Sequence, residues 1–197
     1  PAREEMTLSA SLLEALVQRA WFQVYGPRSS LGGWLRRFFA GGWGAAVRAM
    51  WLDLCIALAA MIAGTTTGWL LVARDPQWYH ALVPSEYGDA RQPGASVAQL
   101  RETIFAAPQQ SERLSVFAAY LFSNNAQVAI LAFALGFAFG MPSILLLVQN
   151  TVLLGAMLWL FHGAGLGLDF IGWLSVHGTT ELFAILLAGA AGIHVGR

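Results

Sequence analysis

The chain has 197 residues, 57% of them hydrophobic and 11% charged, with a mean hydropathy of +0.58, whereas a soluble domain carries about 25% charge. Its basic residues are all Arg, and they balance Asp plus Glu to a net charge of zero. There is thus no basic field for nucleic acid and no acidic tail for a solvated partner. These values exclude a soluble globular domain and leave a membrane protein whose first partner is the lipid bilayer.

No basic segment leads into an apolar core at the start, so no signal peptide is expected. The chain opens at Pro1 and stops at Arg197 just after an apolar stretch, so both ends are expected to continue in a longer protein. Residues 7–25, TLSASLLEALVQRAWFQVY, place Leu8, Leu12, Leu16 and Ala20 on one helical stripe, with Leu13, Val17, Trp21 and Val24 beside it. Ser11 and Glu14 have capping-box spacing. This helix is too charged to span and is expected to be amphipathic, outside the bilayer. A break over Pro27 to Gly33 precedes WLRRFF (34–39), whose interleaved aromatics and Arg suit the headgroup region. Residues 1–48 therefore form a cytoplasmic or interfacial amphipathic segment.

The first span is expected over 49–73, long enough for a hydrocarbon core of ~30 Å. Asp53 lies one turn inside it and is read as structural, snorkelling beside Arg48. Cys55, the single cysteine, is read as packing, and it excludes an intrachain disulfide. Residues 74–115 hold Pro76, Pro84, Pro93 and Pro108 and read as an extramembrane loop with a short helix around Val97 to Phe105. The membrane bundle fills 116–197. A span over 116–140 is followed by Met141-Pro142, with Pro in the favoured first turn of the next span, 142–161. The apolar stretch at 168–176 is about 13 Å long as a helix, too short to cross, and reads as an interfacial or re-entrant half-helix. After His177-Gly178 the last span covers 179–195. The fold class is all-α, a polytopic membrane protein of about four spanning helices plus the half-helix and the N-terminal amphipathic segment.

Counting Arg places the N-terminal part in the cytoplasm and the 74–115 loop outside it. Trp34, Trp43 and Trp51 then mark one interface, and Trp69, Trp78, Trp159 and Trp173 the other.

Gly64-TTT-Gly68 and Gly136-FAF-Gly140 carry glycines four apart, a spacing that lets helix backbones approach closely. In HGTTELFAILLAGAAG, His177 and Glu181 are four apart, and the stripe continues through Ala184, Ala188, Gly192 and Gly196, with Gly178 at the break. That stripe aims Glu181 into the bundle or a subunit interface. Asn124 and Asn125 in one span and Asn150 in the next must find partners, because an unpaired amide in hydrocarbon costs several kcal/mol. A buried polar cluster of Asn124, Asn125, Asn150, His177 and Glu181 is therefore expected, with Glu181 against Asn150 or His177. The cluster reads either as a helix clamp or as the lining of a solute or proton path. HGTTE lacks the two-His zinc spacing of HExxH, and there is no GxSxG elbow or phosphate-binding glycine loop. No catalytic residue, metal or cofactor is expected.

The stretches FSNNAQVAILAFALGFAFG, LLVQNTVLLGA and HGTTELFAILLAGAAG together resemble the stage II sporulation protein M family over about 117–196. The shared marks are the paired Asn, the Gly-ended helix, the Asn followed by a glycine, and His-Gly with Glu leading a small-residue helix. The resemblance implies an integral-membrane component of the bacterial cytoplasmic membrane. It also implies assembly with cell-wall-degrading enzymes without itself being the hydrolase. Two readings stand: a membrane scaffold of a cell-envelope complex, or a channel or transporter subunit. A homo-oligomer is expected on either, because small-residue faces exceed what four spans can pair internally.

Overall fold

The computed structural model describes residues 13–18, 21, 30–84, 90–105 and 111–197. They divide into two units, within 1–49 and 50–197. The Ser11 cap and most of the 7–25 helix lie outside the described residues; within it, 13–18 are helical.

In the first unit, α1 (Leu31–Arg37) starts where the Ser30 hydroxyl accepts from the Gly33 N–H. The expected break is thus shorter, and Gly32 and Gly33 are helical. A widened turn at Phe38–Gly42, with Gly41 at φ 142°, separates α1 from α2 (Trp43–Ala49). Trp34 stacks on Phe38, and Phe38 meets Trp43 edge-on. Trp34, Phe39 and Trp43 stay exposed, beside Arg36 and Arg37.

The second unit holds the membrane helices. α3 (Trp51–Arg74), α7 (Met141–Gly163) and α9 (Thr179–Gly196) are long and apolar enough to cross a membrane. The expected span at 116–140 corresponds to α6 (Ser111–Ala134), continued by a tight turn at Leu135–Phe137. Among the described residues, three helices meet the length and composition needed to cross and shorter apolar helices accompany them, consistent with the expected all-α membrane fold. Phe139 and Gly140 both have positive φ, 59° and 69°, and this reverses the chain into Pro142 at the head of α7. At the other end of α7, Gly165 at φ 74° and the Leu166 N–H bond to the Phe161 carbonyl close the helix. α8 (Gly167–His177) is the expected half-helix, and Gly178 joins it to α9.

Contacts between helices set their directions. Gly64 faces Val148 and Thr151, and Gly68 faces Val152, so α3 and α7 run parallel. Gly136 faces Gly192, and Gly196 faces Gly136, so α6 and α9 run parallel too. Ser143 donates to the Ala132 carbonyl at 2.6 Å, tying the head of α7 to the foot of α6. In both parallel pairs a methyl group on the glycine would strike backbone of the facing helix. The backbones are therefore in contact, and dispersion along the seams replaces the water-driven association unavailable in lipid.

Gly64, Gly68, Gly136, Gly140, Gly192 and Gly196 all face another helix at close range, and Gly178 packs on Leu174. Ala184 corrects the expected stripe: it is exposed, and Ala188 is only half-buried. The buried residues of α9 are Ile185, Gly189, Ala190, Gly192 and Ile193, so the buried face is offset by about one residue from Ala184 and Ala188 and meets the expected stripe at Gly192. Gly155 and Gly189, absent from the expected set, face Thr65 and Leu147. Cys55 is also corrected: it is exposed on α3 rather than packed.

The polar segment after α3 folds back as a cap. It carries the expected helix, α5 (Val97–Phe105), and an unexpected turn of helix, α4 (Trp78–Leu82). Tyr79, Leu100 and Ile104 are buried in one core with Val72, Phe161 and Phe170, and the Phe161 and Phe170 rings stack at 4.4 Å.

Candidate functional site

Polar side chains gather where the cap meets the bundle. Asn124 and Asn125 project from α6, Asn150 from α7, and Glu181 from the first turn of α9. There the exposed N–H groups and dipole of the helix favour a carboxylate. Asn125 Nδ2 donates a short hydrogen bond to Glu181 Oε2. The bonded amide is thus Asn125 rather than Asn150, which lines the same cavity without bridging to the acid in this way. The side chain of His177 lies outside the described residues; its backbone ends α8.

The cavity has a volume of about 80 Å³, room for several waters at roughly 10–15 Å³ each. Leu121, Leu153, Leu154 and Leu182 give it apolar walls. Arg91, from the cap, also lines it and is 8% exposed. Its guanidinium donates to the Thr103 carbonyl at 2.9 Å and lies 5.1 Å from the Trp173 ring centroid on α8. The Arg91 carbonyl accepts from the Tyr79 hydroxyl at 2.6 Å. Burial pushes the Tyr79 phenol above its usual range, an effect the Arg91 charge partly offsets. Burial likewise lowers the Arg91 guanidinium. Sequence reasoning missed Arg91 as a site residue, because a lone Arg in a polar loop carries no periodic signal, and it read Trp173 only as an interface aromatic.

A second ionic group lies toward the opposite end of the bundle. Asp53 is completely buried in the first turn of α3. Its Oδ2 lies 2.8 Å from His194 Nδ1 and 3.5 Å from Arg197 Nη2, while Oδ1 has no hydrogen-bond partner among the described residues. The expected reading of Asp53 as a snorkelling acid beside Arg48 is thus corrected to an acid pinned to the end of α9. His194, an ionisable residue in the last turn of an apolar helix, could have been flagged by the same rule that singled out Glu181. Among the described residues, no group of His, Cys, Asp and Glu could hold a metal ion.

The arrangement offers a carboxylate, a guanidinium, several amides and an apolar wall around one small volume. It can hold both signs of charge at once. Residues 57–197 match the family model described as stage II sporulation protein M. No curated protein and no solved structure matches the chain.

Proposed function

Because the chain belongs to the stage II sporulation protein M family, we propose that it is an integral-membrane scaffold. In this role it is an assembly subunit of a cell-envelope complex in the bacterial cytoplasmic membrane. The N-terminal part faces the cytoplasm and the cap faces outward, following the Arg asymmetry. The observation that supports this most is the glycine-mediated backbone contact of α3 with α7 and of α6 with α9. Such seams leave little freedom for sliding or rocking, which suits a rigid platform. The platform carries a cap whose own core is continuous with the bundle. Partners of the cap would be cell-wall enzymes, and the chain supplies no catalytic step of its own. Self-association would cover apolar side chains left exposed, such as Phe133, Phe137 and Phe139.

The test is a photo-crosslinking residue at exposed Glu102 on α5, introduced into the full-length protein in its host. A scaffold yields a discrete adduct with an envelope enzyme; absence of any adduct from several exposed cap positions would count against it. The cavity favours a second reading, a conduit in which Glu181 and the amides line a wet path. Liposomes containing the chain separate the two. Ion or proton flux that disappears in Glu181→Gln makes the chain a conduit, and flux equal to that of empty liposomes leaves the scaffold.

A further inference from the structure

We infer that the cavity between the cap and the bundle is a binding site for the headgroup of an amine-bearing zwitterionic phospholipid, of the phosphatidylethanolamine type. The argument starts from charge. A buried Arg and a half-buried Glu line the same small, largely apolar volume. A ligand of one sign would be attracted by one of these groups and repelled by the other at low dielectric. A headgroup with a phosphate and a primary ammonium presents one charge to each. Glu181, Asn124 and Asn150 line the cavity, and a carboxylate and two amide carbonyls are acceptor types that suit the three N–H donors of an ammonium. The Arg91 guanidinium, held over Trp173, has the planar fork that suits phosphate oxygens.

Depth and wall chemistry select a lipid over a soluble zwitterion. Trp173 is one of the aromatics expected at the membrane interface, and Arg91 enters from the cap just beyond it. Leu153, Leu154 and Leu182 continue the lining into the helices that are apolar enough to span. A glycerol backbone and the first methylenes of an acyl chain fit such a wall, whereas a free amino acid would leave it unfilled. The volume admits a small ammonium more readily than a trimethylammonium.

The probe is dioleoyl-phosphatidylethanolamine added to the chain purified in a lipid-free neutral detergent. Retained adducts are read by native mass spectrometry and the stabilisation by thermal unfolding. Dioleoyl-phosphatidylcholine, dioleoyl-phosphatidylglycerol and free phosphoethanolamine serve as competitors. The ethanolamine lipid is expected to bind most tightly. Glu181→Gln keeps an acceptor for Asn125 but loses the charge, and is expected to weaken its binding about tenfold, leaving phosphatidylglycerol binding unchanged or stronger. Asn124→Leu, which leaves the Asn125 to Glu181 bond in place, is expected to weaken it as well by filling the cavity. Equal binding of the three lipids overturns the inference, as does undiminished binding of the ethanolamine lipid by both variants. Displacement by free phosphoethanolamine at concentrations comparable to the lipid would reassign the site to a soluble zwitterion and overturn the lipid.

Discussion

Replacing Gly155 by Ala puts one methyl group where the backbone of another helix already stands. The new Cβ would lie 2.8 Å from both the Thr65 carbonyl carbon and the Trp69 nitrogen, and closer still to the Thr65 oxygen. None of these atoms can swing aside, so α3 and α7 must part by about 1 Å. A gap of that size forfeits up to about half of each dispersion well. At roughly 0.1–0.2 kcal/mol per atom pair and roughly twenty pairs along the seam, the loss is about 1 kcal/mol. Residual overpacking strain adds about 1–2 kcal/mol. The better helix propensity of Ala returns about 1 kcal/mol. The net destabilisation is about 1–2 kcal/mol, a fall in Tm of about 2–8 °C for a chain of this size. Gly172→Ala on α8 is the matched control, since a Cβ there meets nothing within 4 Å, and it should be neutral or slightly stabilising. Thermal unfolding of both variants in the same detergent decides the matter. Equal Tm values for Gly155→Ala and Gly172→Ala would refute the claim that the α3–α7 seam is a backbone contact.

Glu181→Leu strands the Asn125 amide that now donates to the carboxylate and should cost about 1–3 kcal/mol, while Glu181→Gln should cost less; identical unfolding of wild type and the Leu variant would argue against the clamp. His194→Leu removes the 2.8 Å contact to a fully buried carboxylate and should lower stability by about 1–3 kcal/mol, read by the same melt, with Arg197 alone left on Asp53 Oδ2. Tyr79 has a phenol pKa raised by burial in the fold, so the unfolded chain ionises first, near its ordinary value of about 10. Stability from this group is complete below pH ~10 and is lost as pH rises toward the higher folded value. Limited proteolysis of the cap should therefore accelerate above pH ~10 in wild type. Tyr79→Phe should raise cleavage at neutral pH, because the Arg91 carbonyl loses its 2.6 Å donor, and should flatten the alkaline rise; an unchanged pH profile in the variant would exclude Tyr79 as its source.

Segment lengths and the paired glycines were legible in the sequence because they follow from local rules. A helix in lipid must satisfy its own backbone, so an apolar run of about 20 residues bounded by Gly, Pro or charge declares itself. Small residues four apart mark where another backbone can approach. Gly64, Gly68, Gly136 and Gly140 accordingly lie where their spacing implied. Glu181 and the three amides were legible for a similar reason, since a polar group in hydrocarbon requires a partner. The exposure of Ala184 marks the limit of such rules. Spacing shows which side chains share a face but not which face turns toward the neighbouring helix.

By itself the sequence determined the membrane class, the order and approximate bounds of the helices, and which residues could not face lipid alone. Only the tertiary structure decided the partners. Asn125, 56 residues from Glu181, takes the place expected of Asn150, and His194, 141 residues from Asp53, takes the place expected of Arg48. Arg91 entered the site only because the cap folds back on α7 and α8. The physical reason is that a need for a partner is a property of one residue in its local environment. The identity of that partner is fixed by the packing of close-fitting helices, which brings together residues that no local spacing connects.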